Sequence, residues 1–212
     1  MMRSALAGAT LALAGCAGGL PDISLPSFLG PKVDAAPAAS LAMFGGDMTA
    51  AGPKGFCADP LASRPAGGFA IFAPCSALGV DDAPAAVPAV TTVQIGKAGS
   101  AIVQADSVAF AALLEGPSGV DILARTKESD AVTVITVKHT DARVSVFFTD
   151  DAPAFVDGAQ GAQWRSFLDM NGRLATVSVR GLGEAPLSQA TGADLLDQAV
   201  KALIDANTNN DN

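Results

Sequence analysis

His139 is the only histidine in the chain. A hydrolase built on a serine or cysteine nucleophile needs a base within hydrogen-bond reach. His139 lies in "VKHTDAR", a polar stretch between two β-branched runs, a context that predicts an exposed histidine in or beside a hairpin turn. No G-x-S-x-G elbow occurs, and "GPSGV" at 116–120 has the wrong composition and no strand before it. The segment "TDDAPAFVDG", 149–158, gathers Asp150, Asp151 and Asp157. Calcium loops use carboxylates at alternate positions with a closing acid; this spacing differs, so a solvated acidic loop is expected rather than a metal site. Neither G-x-x-x-x-G-K-[ST] nor G-x-G-x-x-G is present, which leaves nucleotide binding without support. The sequence thus offers no catalytic, cofactor or metal residue.

The three cysteines carry more. The chain opens Met1-Met2-Arg3, and Ser4 to Ala14 follow without charge, mostly Ala and Leu. A charged start before a short apolar run is the layout of a secretory signal. The run is shorter than the roughly 20 apolar residues a membrane-spanning helix needs. It ends Leu13-Ala14-Gly15-Cys16, which resembles the lipobox of bacterial lipoproteins. The resemblance implies cleavage before Cys16, acylation of that cysteine, and retention in the cell envelope facing the periplasm. Ala17, where enteric bacteria use Asp for inner-membrane retention, leans towards the outer membrane. The alternative is an ordinary secretory signal with an incidental cysteine. Once Cys16 is assigned to lipid, Cys57 and Cys75 remain as an even pair, and exported chains use such pairs as disulfides. There is no C-x-x-C spacing for redox, haem or zinc chemistry. The alternative is two buried free thiols.

Composition narrows the partners. The chain has 212 residues, and removing Arg3 with the signal leaves 12 of its 13 basic residues against 21 acidic ones. So acidic a chain is a poor candidate for nucleic acid or anionic headgroups; the lipid on Cys16, not a basic patch, would supply the membrane contact. The length fits one domain.

Four segments follow from the pattern. Residues 1–15 are the signal, and 16–46, rich in Ala, Gly and Pro without helical or strand period, read as a tether reaching about 30 Å as a coil. A single domain spans 47–206, and 207–212 form a polar tail. Within the domain, "GPKGFCAD", "GGFAIFAPC" and "TTVQI" read as strands. "DSVAFAALLEGPSG" reads as a short helix capped by Asp106 or Ser107 and ended by Gly116-Pro117. Val132–Val137 and Val144–Thr149 form a hairpin. "QWRSFLDMNGRLATVSVRG" permits a helix on Trp164, Phe167 and Leu168. Asn171-Gly172, however, is the strongest short hairpin signal. Pairing Met170 with Arg173 puts Trp164, Leu168, Met170, Ala175, Val177 and Val179 on one face, and leaves Arg165, Phe167, Asp169, Leu174, Thr176, Ser178 and Arg180 on the other. A long C-terminal helix capped at Thr191 presents Leu195, Leu196, Ala199, Val200, Leu203 and Ile204 as one stripe.

Strands, a short helix, two hairpins and a long helix predict an α+β fold: an antiparallel sheet with the short central helix and the long C-terminal helix packed on it. "GPKGFCADP", "NGRLATVSV" and "TGADLLDQAVKALIDA", about a third of the chain, resemble the Mog1/PsbP-like fold. That resemblance implies an accessory or binding protein and carries over no site residue. Two functions stay open: a non-catalytic binding or envelope-assembly module with an unknown protein partner, or a carrier or enzyme for a small envelope ligand, using Asp, Ser and Arg side chains scattered in sequence.

Cys16→Ser is expected to shift the protein from the membrane pellet to the soluble fraction. Pelleting at wild-type levels would place the anchor elsewhere.

Overall fold

A computed structural model of the chain describes residues 36–84, 86–126, 131–153, 156–184 and 186–208. The lipobox and Cys16 lie outside these residues. The strands are β1 (Ser40–Met43), β2 (Met48–Ala51), β3 (Phe56–Ala58), β4 (Phe69–Pro74), β5 (Ala89–Ile95), β6 (Val132–Thr140), β7 (Arg143–Asp150), β8 (Ala159–Met170) and β9 (Arg173–Leu182). The helices are α1 (Ser107–Glu115), α2 (Pro117–Leu123) and α3 (Gln189–Thr208). β1 and β2 pair as a ribbon; the other seven strands form one antiparallel sheet in the order β3-β4-β5-β9-β8-β7-β6. The chain meanders through β3–β5, crosses by α1–α2 to the far edge, and meanders back so that β9 closes against β5. The fold is α+β, as the element pattern predicted.

The hairpin register is the expected one. Met170 pairs with Arg173, and Asn171 and Gly172 carry φ of 48° and 71°, the positive values a type I′ turn requires. The face holding Trp164, Leu168, Met170, Ala175, Val177 and Val179 packs against Leu195, Leu196, Ala199, Val200 and Leu203 of α3. The ribbon adds Met43 and Met48 to this core. The opposite face carries a second core, in which α1 and α2 bring Phe110, Ala111, Leu114 and Leu123 onto Val144, Val146, Phe148 and Phe167. Phe110 meets Phe167 edge-on at 5.2 Å.

Three boundaries differ from the sequence reading. Ordered structure begins before residue 47: β1 lies inside the expected tether, and Met43 is fully buried. Small residues hid this strand, because Ser40, Leu41 and Ala42 show no strong alternation. α3 is capped by Ser188, whose Oγ accepts the Thr191 N–H at 3.0 Å; Thr191 is the third residue inside the helix. Asn207, read as part of a polar tail, is buried. Its Oδ1 accepts from Thr49 N–H at 2.9 Å and its Nδ2 donates to the Thr49 carbonyl at 2.7 Å, completing the backbone of β2 as a strand would. Ile204, by contrast, leaves the buried stripe and is 38% exposed. Pro117 both ends α1 and opens α2, where its fixed φ suits the first helical position and no N–H is missed.

Cys57 and Cys75 form a disulfide, with Cα atoms 4.8 Å apart. The bond ties edge strand β3 to the residue just after β4, across a segment whose only helical stretch is the short 3-10 turn Pro65–Gly67. Replacing both cysteines by alanine is expected to lower stability by about 3 kcal/mol on the chain-entropy account, with far-UV circular dichroism unchanged. An unchanged melting temperature would mean the bond constrains nothing the sheet does not already hold.

Candidate functional site

α1 and α2 cover β6 and β7 but stop short of the middle of the sheet. Over β5, β9 and the adjoining part of β8 this leaves a cavity of about 440 Å³, within the 300–1,000 Å³ of small-molecule sites. Register orders its floor into rows across the strands. The first row is Val90, Arg180 and Gln163; the second is Thr92, Ser178 and Arg165; the third is Gln94, Thr176 and Phe167, with Phe69 beside Gln94; Leu174 follows. Arg125 and Ile122, at the end of α2, close one side.

The charged rows are organised by Asp150, the last residue of β7, which is 1% exposed. Its carboxylate accepts from Ala152 N–H at 3.0 Å and Arg125 N–H at 3.3 Å, and lies 3.5 Å from Arg125 Nη2. Arg125 Nη2 also donates to the Ala152 carbonyl. The expected solvated acidic loop is therefore corrected in part: Asp151 and Asp157 are exposed, but Asp150 is a buried counter-charge. Asp150 pairs with Val132 at the start of β6 and follows Phe148 on the buried face of β7, so this carboxylate belongs to the sheet.

Arg165 is held from three sides. Nε donates to Ser178 Oγ at 3.1 Å, Nη1 to the Leu123 carbonyl at 3.3 Å, and the guanidinium lies 5.1 Å from the Phe148 ring centre. The Leu123 carbonyl is one of the terminal groups a helix leaves without an intrahelical partner, so Arg165 caps α2 from the sheet. Burial, and then the neighbouring Arg180, lower its pKa to about 10. Arg180, 6% exposed, is likewise lowered to about 10, by burial first and then by Arg125. Among the described residues Arg180 has no ion pair or side-chain hydrogen bond. Gln163, 4% exposed, has no partner for Nε2, and neither Nε nor Nη1 of Arg125 has one. Among the described residues, three guanidinium groups against one carboxylate leave an excess of two positive charges here. The N–H groups left open on Arg125 and Gln163 belong to side chains that line the cavity.

His139, near the end of β6, is exposed as expected and borders a different cavity of about 280 Å³ with Lys138, Arg143 and Asp197, against α3. It is not brought to the arginines. Among the described residues no group of three or more His, Cys, Asp or Glu could hold a metal. Arg125, Gln163 and Arg180 were not singled out from the sequence. The available signal was the mixed second face of the Asn-Gly hairpin, where Arg165, Ser178 and Arg180 fall together.

No protein-family model matches the chain and no curated protein is similar to it. Among solved structures, the chain is similar to the Saccharomyces cerevisiae Ran-binding protein Mog1p and to a mutant of protein Mog1. Each comparison has 12% identity and a TM-score of 0.43, covering 80% of this chain and 92% of that one. A STAR-related lipid transfer protein from Xanthomonas axonopodis matches at 9% identity and a TM-score of 0.28, over 74% of this chain and 98% of that one. These are likenesses of chain path and no more.

At neutral pH both arginines are charged in the folded and unfolded chain, and the lowered pKa values mean that folding disfavours that charge. Arg180→Met, which removes one repelling cation and no described hydrogen bond, is expected to raise the melting temperature, by about 2–4 °C for each kcal/mol relieved. Asp150→Asn removes the one counter-charge at this site among the described residues and is expected to cost about 3 kcal/mol. A lower melting temperature for Arg180→Met would make it a structural residue.

Proposed function

We propose that this chain is a lipid-anchored binding protein of the bacterial cell envelope, facing the periplasm through Cys16, that takes a small ligand into the arginine-lined cavity. One observation carries the ligand part: buried and half-buried, partly unpartnered cationic side chains lining a cavity that the described helices leave open. Folded chains pair their buried polar groups, and a desolvated guanidinium with no anion is costly to keep. A site that bears this cost gains when an anion arrives. The anchor part rests on Leu13-Ala14-Gly15-Cys16, and the disulfide fits an oxidising compartment.

Of the two functions the sequence leaves open, the cavity favours the small ligand, held without chemistry. Asp150, the carboxylate at this site, already accepts hydrogen bonds from two backbone N–H groups and lies beside Arg125; it is engaged as a counter-ion, not free as a base.

The test is native mass spectrometry of protein extracted from membranes under mild conditions. The wild type is expected to carry a small-molecule mass. Thr176→Phe, which fills the middle of the cavity floor with a strand-compatible side chain, is expected to lose it while melting normally. A stoichiometric protein partner with no small molecule would favour the assembly module instead.

A further inference from the structure

Resting on that reading, we infer that the cavity's ligand is a single-chain amphipathic anion, with its carboxylate or phosphate head among Arg125, Gln163 and Arg180 and its apolar body laid along the strands towards Phe69, Phe167 and Leu174. The order of the rows supplies the argument. Charge is confined to the first two, at Arg180, with the neutral amide of Gln163 beside it, and then at Arg165. The third holds the rings of Phe167 and Phe69 with Thr176 and Gln94 between them, and the floor ends at Leu174. Strand rise is about 3.3 Å per residue, so Arg180 and Leu174 on β9 stand roughly 20 Å apart. A compact inorganic anion would use the arginine end and leave the half-buried Phe69 and Leu174 facing water. A neutral apolar molecule would leave the excess charge unmatched. Only a ligand polar at one end and apolar along its length satisfies both.

The head is received at Arg180, which lines the cavity without an ion pair or side-chain hydrogen bond among the described residues. Gln163 Nε2 and Arg125 Nε and Nη1 belong to side chains that line the cavity; they lack partners among the described residues and are closed to solvent, so they favour an anion through their field. Arg165 is committed to Ser178 and to the end of α2, so it contributes field rather than a free donor. An anion bound at the head position offsets the repulsion between Arg180, Arg165 and Arg125. Charge-assisted bonds to guanidinium are about twice as strong as neutral ones. Carboxylate and phosphate share this chemistry, and the test separates them.

Calorimetry uses the oxidised full-length chain carrying Cys16→Ser, with probes kept below their micelle-forming concentrations: dodecanoate, dodecyl phosphate, dodecanol and inorganic phosphate. Dodecanoate or dodecyl phosphate is expected to bind one to one, the tighter of the two naming the head. Dodecanol is expected to bind at least ten-fold more weakly, and inorganic phosphate without saturation. Arg180→Met should weaken the anionic amphiphile at least ten-fold and leave dodecanol unchanged; Gln163→Leu should act in the same direction. Equal binding of dodecanol and dodecanoate, or an anion affinity indifferent to Arg180→Met, overturns the inference. Arg180-dependent binding of inorganic phosphate as tight as that of dodecyl phosphate overturns the amphiphile but keeps a ligand cavity. Saturable binding of none of the four overturns the amphiphile as well, and a co-purified mass displaced by Thr176→Phe would then still support the broader reading.

Discussion

Setting one buried and two half-buried guanidinium groups beside one buried carboxylate is the constraint around which this fold is arranged. A charge removed from water is stable only when paired and hydrogen-bonded, and Asp150 meets that demand for Arg125 alone. Arg165 meets it through neutral partners, Ser178 Oγ and a helix-end carbonyl. Arg180 has neither. The three arginines therefore differ in kind, although their sequence contexts give no sign of it. One is neutralised, one is solvated by the protein, and one keeps an unanswered charge. The last is the position where a ligand changes the energetics most.

The architecture explains why the unanswered charge is tolerated. Both faces of a seven-stranded sheet must be covered, since each carries buried apolar side chains. α3, at 20 residues, and the β1–β2 ribbon cover one face over β3, β4, β5, β9 and β8. The crossover between β5 and β6 supplies only α1 and α2, of 9 and 7 residues. At about 1.5 Å rise per residue neither reaches across the second face. What they leave open coincides with the strands where Arg165, Ser178, Thr92 and Arg180 replace valine and leucine. Composition and coverage agree: where no helix lies, the sheet is polar at one end and only partly apolar at the other.

Much of this was readable from the chain, for physical reasons that can be named. Asn171-Gly172 fixes a register because few residue pairs accept two positive φ values, and one register decides both faces of β8 and β9. The α3 stripe, apart from Ile204, and the Asp106 cap, whose Oδ1 accepts the Ala109 N–H at 2.9 Å, are local signals that the structure bears out. β1 was missed because its four residues carry no strong pattern and gain their place from Met43 in a core assembled later. The cavity was missed for a related reason. Arg125, Gln163 and Arg180 lie in three segments, and burial, not spacing, makes them a site. Asp150 shows the limit most clearly: among three acids in ten residues, only the pairing of β7 with β6 and β8 separates the buried one from its solvated neighbours.

The corner between α1 and α2 links this site to the second core. Gly119 lies so close to Leu114 that a Cβ would collide with its backbone, and Gly116 and Pro117 turn the chain within a single residue. The tight corner lets Leu114 and Leu123 enter the same core while α2 ends over β8, with the Leu123 carbonyl facing Arg165. Two residues further, Arg125 reaches Asp150. Apolar packing on one side of α2 thus sets the position of cations on the other. A substitution that opened the corner would disturb the second core and the charge arrangement together. Arg180, by contrast, stands on β9, whose register is fixed by pairing with β5 and β8. Its place in the cavity does not depend on α2. The two flanking cations are therefore set by separate parts of the fold, so a ligand that touches both Arg125 and Arg180 would bridge the helical corner to the centre of the sheet.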